Sequence, residues 1–211
     1  HPRDMDAALI LAHGEVPQLM PYLHLPVQSG SDAVLEAMNR KHTARDYLAV
    51  VEALRRARPD MALSSDFIVG FPGETEADFN ATLELVEAIG FAQAYSFKYS
   101  VRPGTPAAGL RKQVPEPVKN ERLHTLQTLL DRQAADFNAG SVGRTVPVLL
   151  EREGRHAGQL VGRTPYMQAI HVPSDGLRLG DLVPVAITEC HAHSLGGIPA
   201  AAAGTEREAF A

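Results

Sequence analysis

The chain has 211 residues, of which 45% are hydrophobic, and carries a formal net charge of −5. This length allows one or two domains with buried cores, and the negative charge argues against a general affinity for nucleic acids. No apolar run approaches the roughly 20 residues of a membrane span, and the single cysteine, Cys190, excludes intrachain disulfides and cysteine-built metal sites. We therefore expect a cytoplasmic protein without a membrane partner.

The first residues suggest that the sequence is part of a longer protein. The chain starts with His1-Pro2 and shows neither an initiator methionine nor a charged-then-apolar signal segment. We interpret it as a C-terminal fragment.

Residues 21–100 alternate short apolar runs with amphipathic segments. The pattern predicts strands over 21–28, 61–71 and 94–100, with helices over 32–40, 42–59 and 75–89 between them. Two of the helices start with a Thr followed three residues later by an Asp, which is a capping-box pattern. This order predicts parallel β/α units that form the later part of a barrel.

Ligands of such barrels bind at the carboxyl ends of the strands. Those ends are predicted at residues 28–30, 70–74 and 99–105, and all three are rich in polar residues, glycine or proline. This coincidence favours a ligand site over ordinary turns.

The character of the sequence changes after the third predicted strand. A long helix is predicted over 115–138, and four short β-rich runs from residue 141 onward predict a small antiparallel barrel. We divide the chain into a barrel part (1–112), a connecting helix (113–140), a β domain (141–199) and a disordered tail (200–211).

Three motifs resemble the radical S-adenosylmethionine methylthiotransferases, most closely the members that modify isopentenyladenosine in tRNA. They are "HLPVQSGSDAVLEAMNRKHT" (24–43), "SSDFIVGFPGET" (64–75) and "YSFKYSVRPGTPAAGL" (95–110). With the β domain, the resemblance covers residues 1 to about 197. It implies an α/β fold, namely a partial radical SAM (TIM-like) barrel followed by a small all-β, OB-like TRAM barrel.

The resemblance also implies a reaction, methylthiolation at C2 of N6-isopentenyladenosine next to the tRNA anticodon. The cofactors would be S-adenosylmethionine and two [4Fe-4S] clusters, one of which cleaves S-adenosylmethionine to a 5′-deoxyadenosyl radical. The cluster cysteines would lie upstream of His1, so this part alone should bind no cluster and be inactive. The expected partners are the tRNA anticodon stem-loop and the missing N-terminal half, in a monomeric protein.

Four alternatives stay open at this point. Related enzymes modify threonylcarbamoyladenosine in tRNA or an aspartate of a ribosomal protein. The chain also fits a non-catalytic RNA-binding module, or a TIM-barrel enzyme that binds phosphate at the helix start near Thr75.

Seven residues are candidates for S-adenosylmethionine binding. An amide at Gln28 can both donate to and accept from ribose hydroxyls, and the carboxylate of Asp66 would accept from the same sugar unless an Arg or backbone amides pair with it. A guanidinium at Arg40 would hold the methionyl carboxylate or, alternatively, interact only with a helix end. Glycines in the turn near residue 70 would let the backbone approach adenine. The full set is Gln28, Ser29, Arg40, Asp66, Gly70, Pro72 and Gly73.

Charge alone supports RNA binding weakly, because residues 141–199 contain five arginines and five acids. With the TRAM resemblance, Arg144 and Arg163 are expected to contact phosphates and Tyr166 to stack on a base. Lys98 and Arg102, at the end of the third strand, are further candidates for RNA contacts. The histidine spacings form no coherent metal-binding set, so no metal ligands are predicted.

Overall fold

The computed structural model describes residues 1–200. The chain divides into two compact units between Ala134 and Ala135. The predicted tail, residues 200–211, lies outside the described residues except for Ala200, whose backbone N–H donates to the carbonyl of Pro184. The boundary between the units lies inside the long helix rather than at one of its ends.

The first unit is built on a parallel sheet of three strands. Its elements in chain order are α1 (Ala7–Glu15), β1 (Tyr22–His24), α2 (Asp32–Ala37), α3 (Ala44–Ala57), β2 (Ala62–Val69), α4 (Glu76–Ile89), β3 (Gln93–Lys98) and the start of α5 (Glu116–Ala139). The strand order is β1-β2-β3, so β1 and β3 are the edges of an open sheet. The predicted partial β/α barrel is confirmed.

Local sequence signals account for most of these element boundaries. Both capping boxes form, with Thr43 starting α3 and Thr75 starting α4. β1 is shorter than predicted because Pro26 has no N–H to donate to the neighbouring strand. The pattern did not indicate α1, although Asp6 caps it by accepting from the N–H of Leu9.

The two faces of β2 have different surroundings. Leu63, Phe67 and Val69 point into the apolar core that the helices cover, whereas Asp66 on the other face stays partly open. Tyr47 of α3 ties this core to the sheet, because its buried hydroxyl donates to the carbonyl of Leu25 at 2.8 Å. The open face therefore remains accessible for a ligand.

The second unit contains a closed barrel of five strands. These are β4 (Thr145–Glu153), β5 (Gln159–Arg163), β6 (Ala169–Pro173), β7 (Leu182–Cys190) and β8 (Leu195–Pro199). They follow one another around the barrel in the order β4-β5-β6-β8-β7, and only the β6–β8 pair is parallel. The predicted small barrel is confirmed, but β8 was not predicted because Gly196 and Gly197 weaken its strand pattern.

No helix among the described residues is both long enough and apolar enough to cross a membrane.

Candidate ligand-binding site at the carboxyl ends of the strands

Gln28 lies beside the end of β2 in an unusual backbone conformation. Its N–H donates to the carbonyl of Asp66 at 2.9 Å, and its carbonyl accepts from the N–H of Ile68 at 3.0 Å. These bonds hold a φ of +82°, which residues other than glycine rarely adopt. The side-chain amide makes no hydrogen bond to another described residue, so it is free for a ligand. Backbone strain of this kind is concentrated at functional sites.

Asp66 is adjacent to Gln28, and its carboxylate lies on the open face of the sheet. The Oδ2 atom is 3.4 Å from Nε2 of His24 on β1, and the other ring nitrogen of His24 is 3.0 Å from the hydroxyl of Ser64. His24 is thus a protein partner of Asp66. The sequence alone left an arginine or backbone amides open for this role. His24 was missed as a site residue because its side chain meets Asp66 only when the strands pair.

The turn after Gln28 packs tightly against α4. The hydroxyl of Ser29 is 3.2 Å from that of Thr82, which also accepts from the N–H of Gly30 at 2.9 Å. A Cβ added to Gly30 would lie 2.3 Å from the carbonyl oxygen of Ala81. Ser29 is buried and already bonded within the protein, so its contact with a ligand stays a prediction.

Arg40 follows the end of α2, where the chain turns sharply. Asn39 has a φ of +58°, its N–H donates to the carbonyl of Glu36, and the N–H of Arg40 donates to that of Leu35. This is the Schellman arrangement that ends many helices. The guanidinium makes no hydrogen bond or ion pair with another described residue, so it is available to bind a carboxylate.

The turn from Gly70 to Gly73 is shaped by α5 as well as by its own glycines. Gly70 has a φ of +72°, and an added Cβ would lie 2.4 Å from the side chain of Lys119. We expected a glycine at position 70 because it lets adenine approach the backbone. The structure adds a second reason, since the Lys119 side chain occupies the space that a Cβ at this position would need. Pro72 is buried, whereas Gly73 is exposed and donates to the carbonyl of Lys112 at 2.7 Å.

Glu74 follows this turn and connects it to α5. Its carboxylate is buried and pairs with Arg122 of α5 at 2.7 Å. It also accepts from the N–H of Gly70 at 2.8 Å. Burial raises the pKa of Glu74, and the hydrogen bonds from Gly70 and Arg122 oppose that rise. The pair holds the turn onto α5.

The two candidates near the end of β3 differ in their availability. Lys98 is bound to α5, because its ammonium lies 3.2 Å from Glu116 and 2.7 Å from the side-chain oxygen of Asn120. The Arg102 side chain is exposed and has no partner among the described residues, while its carbonyl accepts from Thr105. Both RNA contacts stay predictions, with Arg102 the freer of the two cations.

In the barrel unit, the connection between β5 and β6 brings together the three predicted RNA-binding residues. Arg144 donates to the hydroxyl of Tyr166 at 2.9 Å and lies over its ring, and Arg163 donates to the carbonyl of Met167. Tyr166 is only 7% exposed, with Phe137 against its ring. The expected stacking of Tyr166 on a base is therefore corrected, since the protein already covers this ring.

No metal centre is found in residues 1–200. They contain no group of three or more His, Cys, Asp or Glu side chains that can hold a metal ion. The described residues thus do not fit an iron–sulfur cluster, whereas Gln28, Arg40 and Asp66 supply the types of donor and acceptor that a nucleoside with an attached carboxylate requires.

Comparisons with known proteins give one family match in each part of the chain. Residues 3–86 match the radical SAM superfamily, and residues 141–199 match the TRAM domain. The resemblance drawn from the three motifs is confirmed.

Two curated relatives share most of the chain. It is 58% identical over 199 residues to the tRNA-2-methylthio-N(6)-dimethylallyladenosine synthase of Sphingopyxis alaskensis, and 60% identical over 197 residues to the protein of that name from Erythrobacter litoralis. The matches cover 94% and 93% of this chain but 45% and 44% of the relatives. The chain thus spans less than half the length of the curated relatives it matches.

Proposed function

We propose that this chain, which joins a radical SAM segment to a TRAM domain, is part of a tRNA methylthiotransferase. The reaction would add a methylthio group to C2 of N6-isopentenyladenosine, also called N6-dimethylallyladenosine, whose 2-methylthio form appears in the names of both relatives. The observation that carries the proposal is the Gln28 amide, which has no side-chain partner among the described residues, next to the partly exposed Asp66 carboxylate that His24 orients. They lie in the segment that matches the radical SAM superfamily.

In this proposal, each side chain binds one part of S-adenosylmethionine. Asp66 accepts hydrogen bonds from the ribose hydroxyls, with His24 holding the carboxylate in place, and Gln28 contacts the same sugar. Arg40 binds the methionyl carboxylate, for which a guanidinium has matching donors. The turn with Gly70, Pro72 and Gly73 lies along the adenine, and Ser29 contacts the ribose next to Gln28.

When bound, S-adenosylmethionine supplies the methyl group and, together with two iron–sulfur clusters held elsewhere in the full-length protein, the radical chemistry. This chain contributes binding and orientation. The Glu74–Arg122 pair keeps the adenine-facing turn in one position. Positioning a cofactor in this way is the protein's contribution to cofactor chemistry. We place the full-length protein in the cytoplasm, as a monomer that acts on the tRNA anticodon stem-loop.

A phosphate site at the start of α4 is disfavoured by the local contacts. The hydroxyl of Thr75 accepts from the N–H of Asp78, and the carboxylate of Asp78 accepts from the N–H of Thr75. The carboxylate of Asp78 also lies at this helix end, and its charge repels an anion. The TIM-barrel alternative therefore has no support at this position.

The test is mass spectrometry of tRNA nucleosides from cells that lack the full-length gene. We expect loss of the 2-methylthio nucleoside and accumulation of its unthiolated precursor. The wild-type gene should restore the product, and Asp66→Ala should restore about a tenth or less of it.

Asp175→Ala, an exposed carboxylate of the barrel unit, is the matched control and should restore the product fully. Persistence of the nucleoside in the deletion strain would contradict the proposal. Loss of the threonylcarbamoyl counterpart instead would keep the chemistry and change the substrate.

A further inference from the structure

Two aromatic side chains lie on the open face of the parallel sheet, beside the candidate ligand-binding site. In the strand register, Tyr95 is opposite Asp66 and Phe97 is opposite Ile68, so these four side chains share one face. Tyr95 is 46% exposed and Phe97 is 54% exposed. Neighbouring exposed rings beside a candidate site are typical of a surface that a ligand covers.

The two rings are held differently. The side-chain amide of Gln93 donates to the hydroxyl of Tyr95 at 2.8 Å, and the Tyr95 ring packs edge-to-face on His24 with the ring centroids 6.3 Å apart. Because His24 contacts Asp66, Tyr95 is linked to the carboxylate that would bind the ribose. Phe97 makes no ring–ring contact with another residue in the described part of the chain. Its ring is therefore the surface left for a ligand.

The chemistry of this surface suits an uncharged group. Ile68, Tyr95 and Phe97 present mainly apolar atoms, and β2 and β3 carry no Lys or Arg on this face. Their one cation, Lys98, alternates to the opposite face of β3 and bonds to two side chains of α5. A carboxylate placed on the surface would lose water without gaining a strand cation, whereas an alkyl group gains from leaving water.

We propose that Phe97, with Ile68 and Tyr95 beside it, contacts the dimethylallyl group of the substrate adenosine and selects that nucleoside. This inference rests on the proposed function, in which the substrate carries the group that appears in the names of both relatives. Reacting atoms have to approach within about 3–3.5 Å of each other, so the nucleoside enters beside the ribose that Asp66 would bind. The threonylcarbamoyl group of the alternative substrate carries a carboxylate, which this surface disfavours.

The test compares two fluorescein-labelled anticodon stem-loop RNAs that differ only in the dimethylallyl group on the adenosine. Fluorescence anisotropy with the full-length protein measures both dissociation constants. We expect wild type to bind the dimethylallylated RNA about tenfold more tightly, and Phe97→Ala to reduce that preference to about threefold or less. Phe97→Leu should keep most of the preference, because leucine retains an apolar side chain. Leu182→Ala, at an exposed apolar residue of the barrel unit, should leave it unchanged.

A charged variant tests the argument from the other side. Phe97→Arg should lose the preference and bind a threonylcarbamoyladenosine stem-loop about tenfold more tightly than wild type does, because a guanidinium pairs with its carboxylate. Leu182→Arg is the control for a general attraction to phosphates. It should change the affinity for all three RNAs by the same factor.

The outcomes separate this inference from the proposed function. A Phe97→Ala protein that keeps the tenfold preference overturns the inference. Equal weakening for both RNAs, with a lowered melting temperature, would also overturn it and would show that another part of the full-length protein covers the ring. In either case, restoration of the 2-methylthio nucleoside in cells by the wild-type gene keeps the proposed function. A wild-type protein that shows no preference and restores no nucleoside would overturn both.

Discussion

One arginine–glutamate pair in each unit shows how differently burial can treat the same two residue types. In the β/α unit, Arg122 and Glu74 are 2.7 Å apart, and their side chains are 8% and 2% exposed. In the barrel unit, Arg163 and Glu151 are 3.4 Å apart, and both side chains are 43% exposed. Removing one partner of a buried pair leaves a charge without water, whereas an exposed charge is simply solvated. The comparison teaches that the first pair is structural and the second is adaptable.

The largest expected effect comes from breaking the buried pair. Arg122→Ala leaves the Glu74 carboxylate buried without its cation, so we expect a loss of about 3–5 kcal/mol in the free energy of unfolding of the β/α unit. Hydrogen exchange of the α4 and α5 amides in the full-length protein measures this loss within the unit itself.

The matched control for that variant is Arg163→Ala in the barrel. It should change the exchange of the barrel amides by about 1 kcal/mol or less, because exposed ion pairs contribute little. Equal effects of the two substitutions would show that burial does not separate the two pairs.

A smaller effect is expected where backbone approaches backbone in the β/α unit. Gly30→Ala would place a Cβ 2.3 Å from the carbonyl oxygen of Ala81, so α4 must shift. Overpacking of this kind costs about 1–3 kcal/mol. The melting temperature and the affinity for S-adenosylmethionine should both fall, because Gln28 lies two residues away.

Gly109→Ala is the control for this substitution, since a Cβ there has no atom within 4 Å. It should leave both measurements unchanged. A Gly30→Ala protein with wild-type melting would show that the turn after Gln28 is looser than its contacts indicate.

The smallest expected effect is a pH-dependent loss of stability at Asp78. Its carboxylate accepts hydrogen bonds from Ser31 at the start of α2 and from Thr75 at the start of α4. Partial burial raises the pKa of Asp78, but hydrogen bonds from Ser31 and Thr75 outweigh it, so the pKa lies below the ordinary value of 3.8. The charged form therefore stabilises the fold fully above about pH 4, and this contribution is lost as the pH falls through the lowered pKa.

Asp78→Asn should cost about 0.5–2 kcal/mol at neutral pH, the range for the loss of a helix cap, and less in acid. Urea unfolding at pH 7 and pH 3 measures the difference. Asp175→Asn, an exposed aspartate of the barrel unit, should show no such dependence. A cost that stays constant with pH would contradict the assignment.

Sequence patterns predicted those features that depend on near neighbours. Both capping boxes form because a threonine and an aspartate three residues apart can bond each other's backbone. The polar residues at the predicted strand ends do lie at one edge of the sheet, where Gln28 adjoins Asp66. The sequence predicted only four of the five barrel strands. It missed β8 because Gly196 and Gly197 interrupt the alternation of apolar and polar side chains.

By itself, the sequence determined the order of the elements, the family resemblance and the candidate residues, because periodicity, caps and motifs are local in the chain. Only the tertiary structure decided which side chains are already in use. Glu74 meets Arg122 across 48 residues, and Tyr166 is buried against Phe137 and Arg144. Burial and pairing arise when distant segments pack, so no local pattern contains them. For the same reason, only the packed structure shows that Arg144 and Arg163 are already bonded to Tyr166 and Glu151.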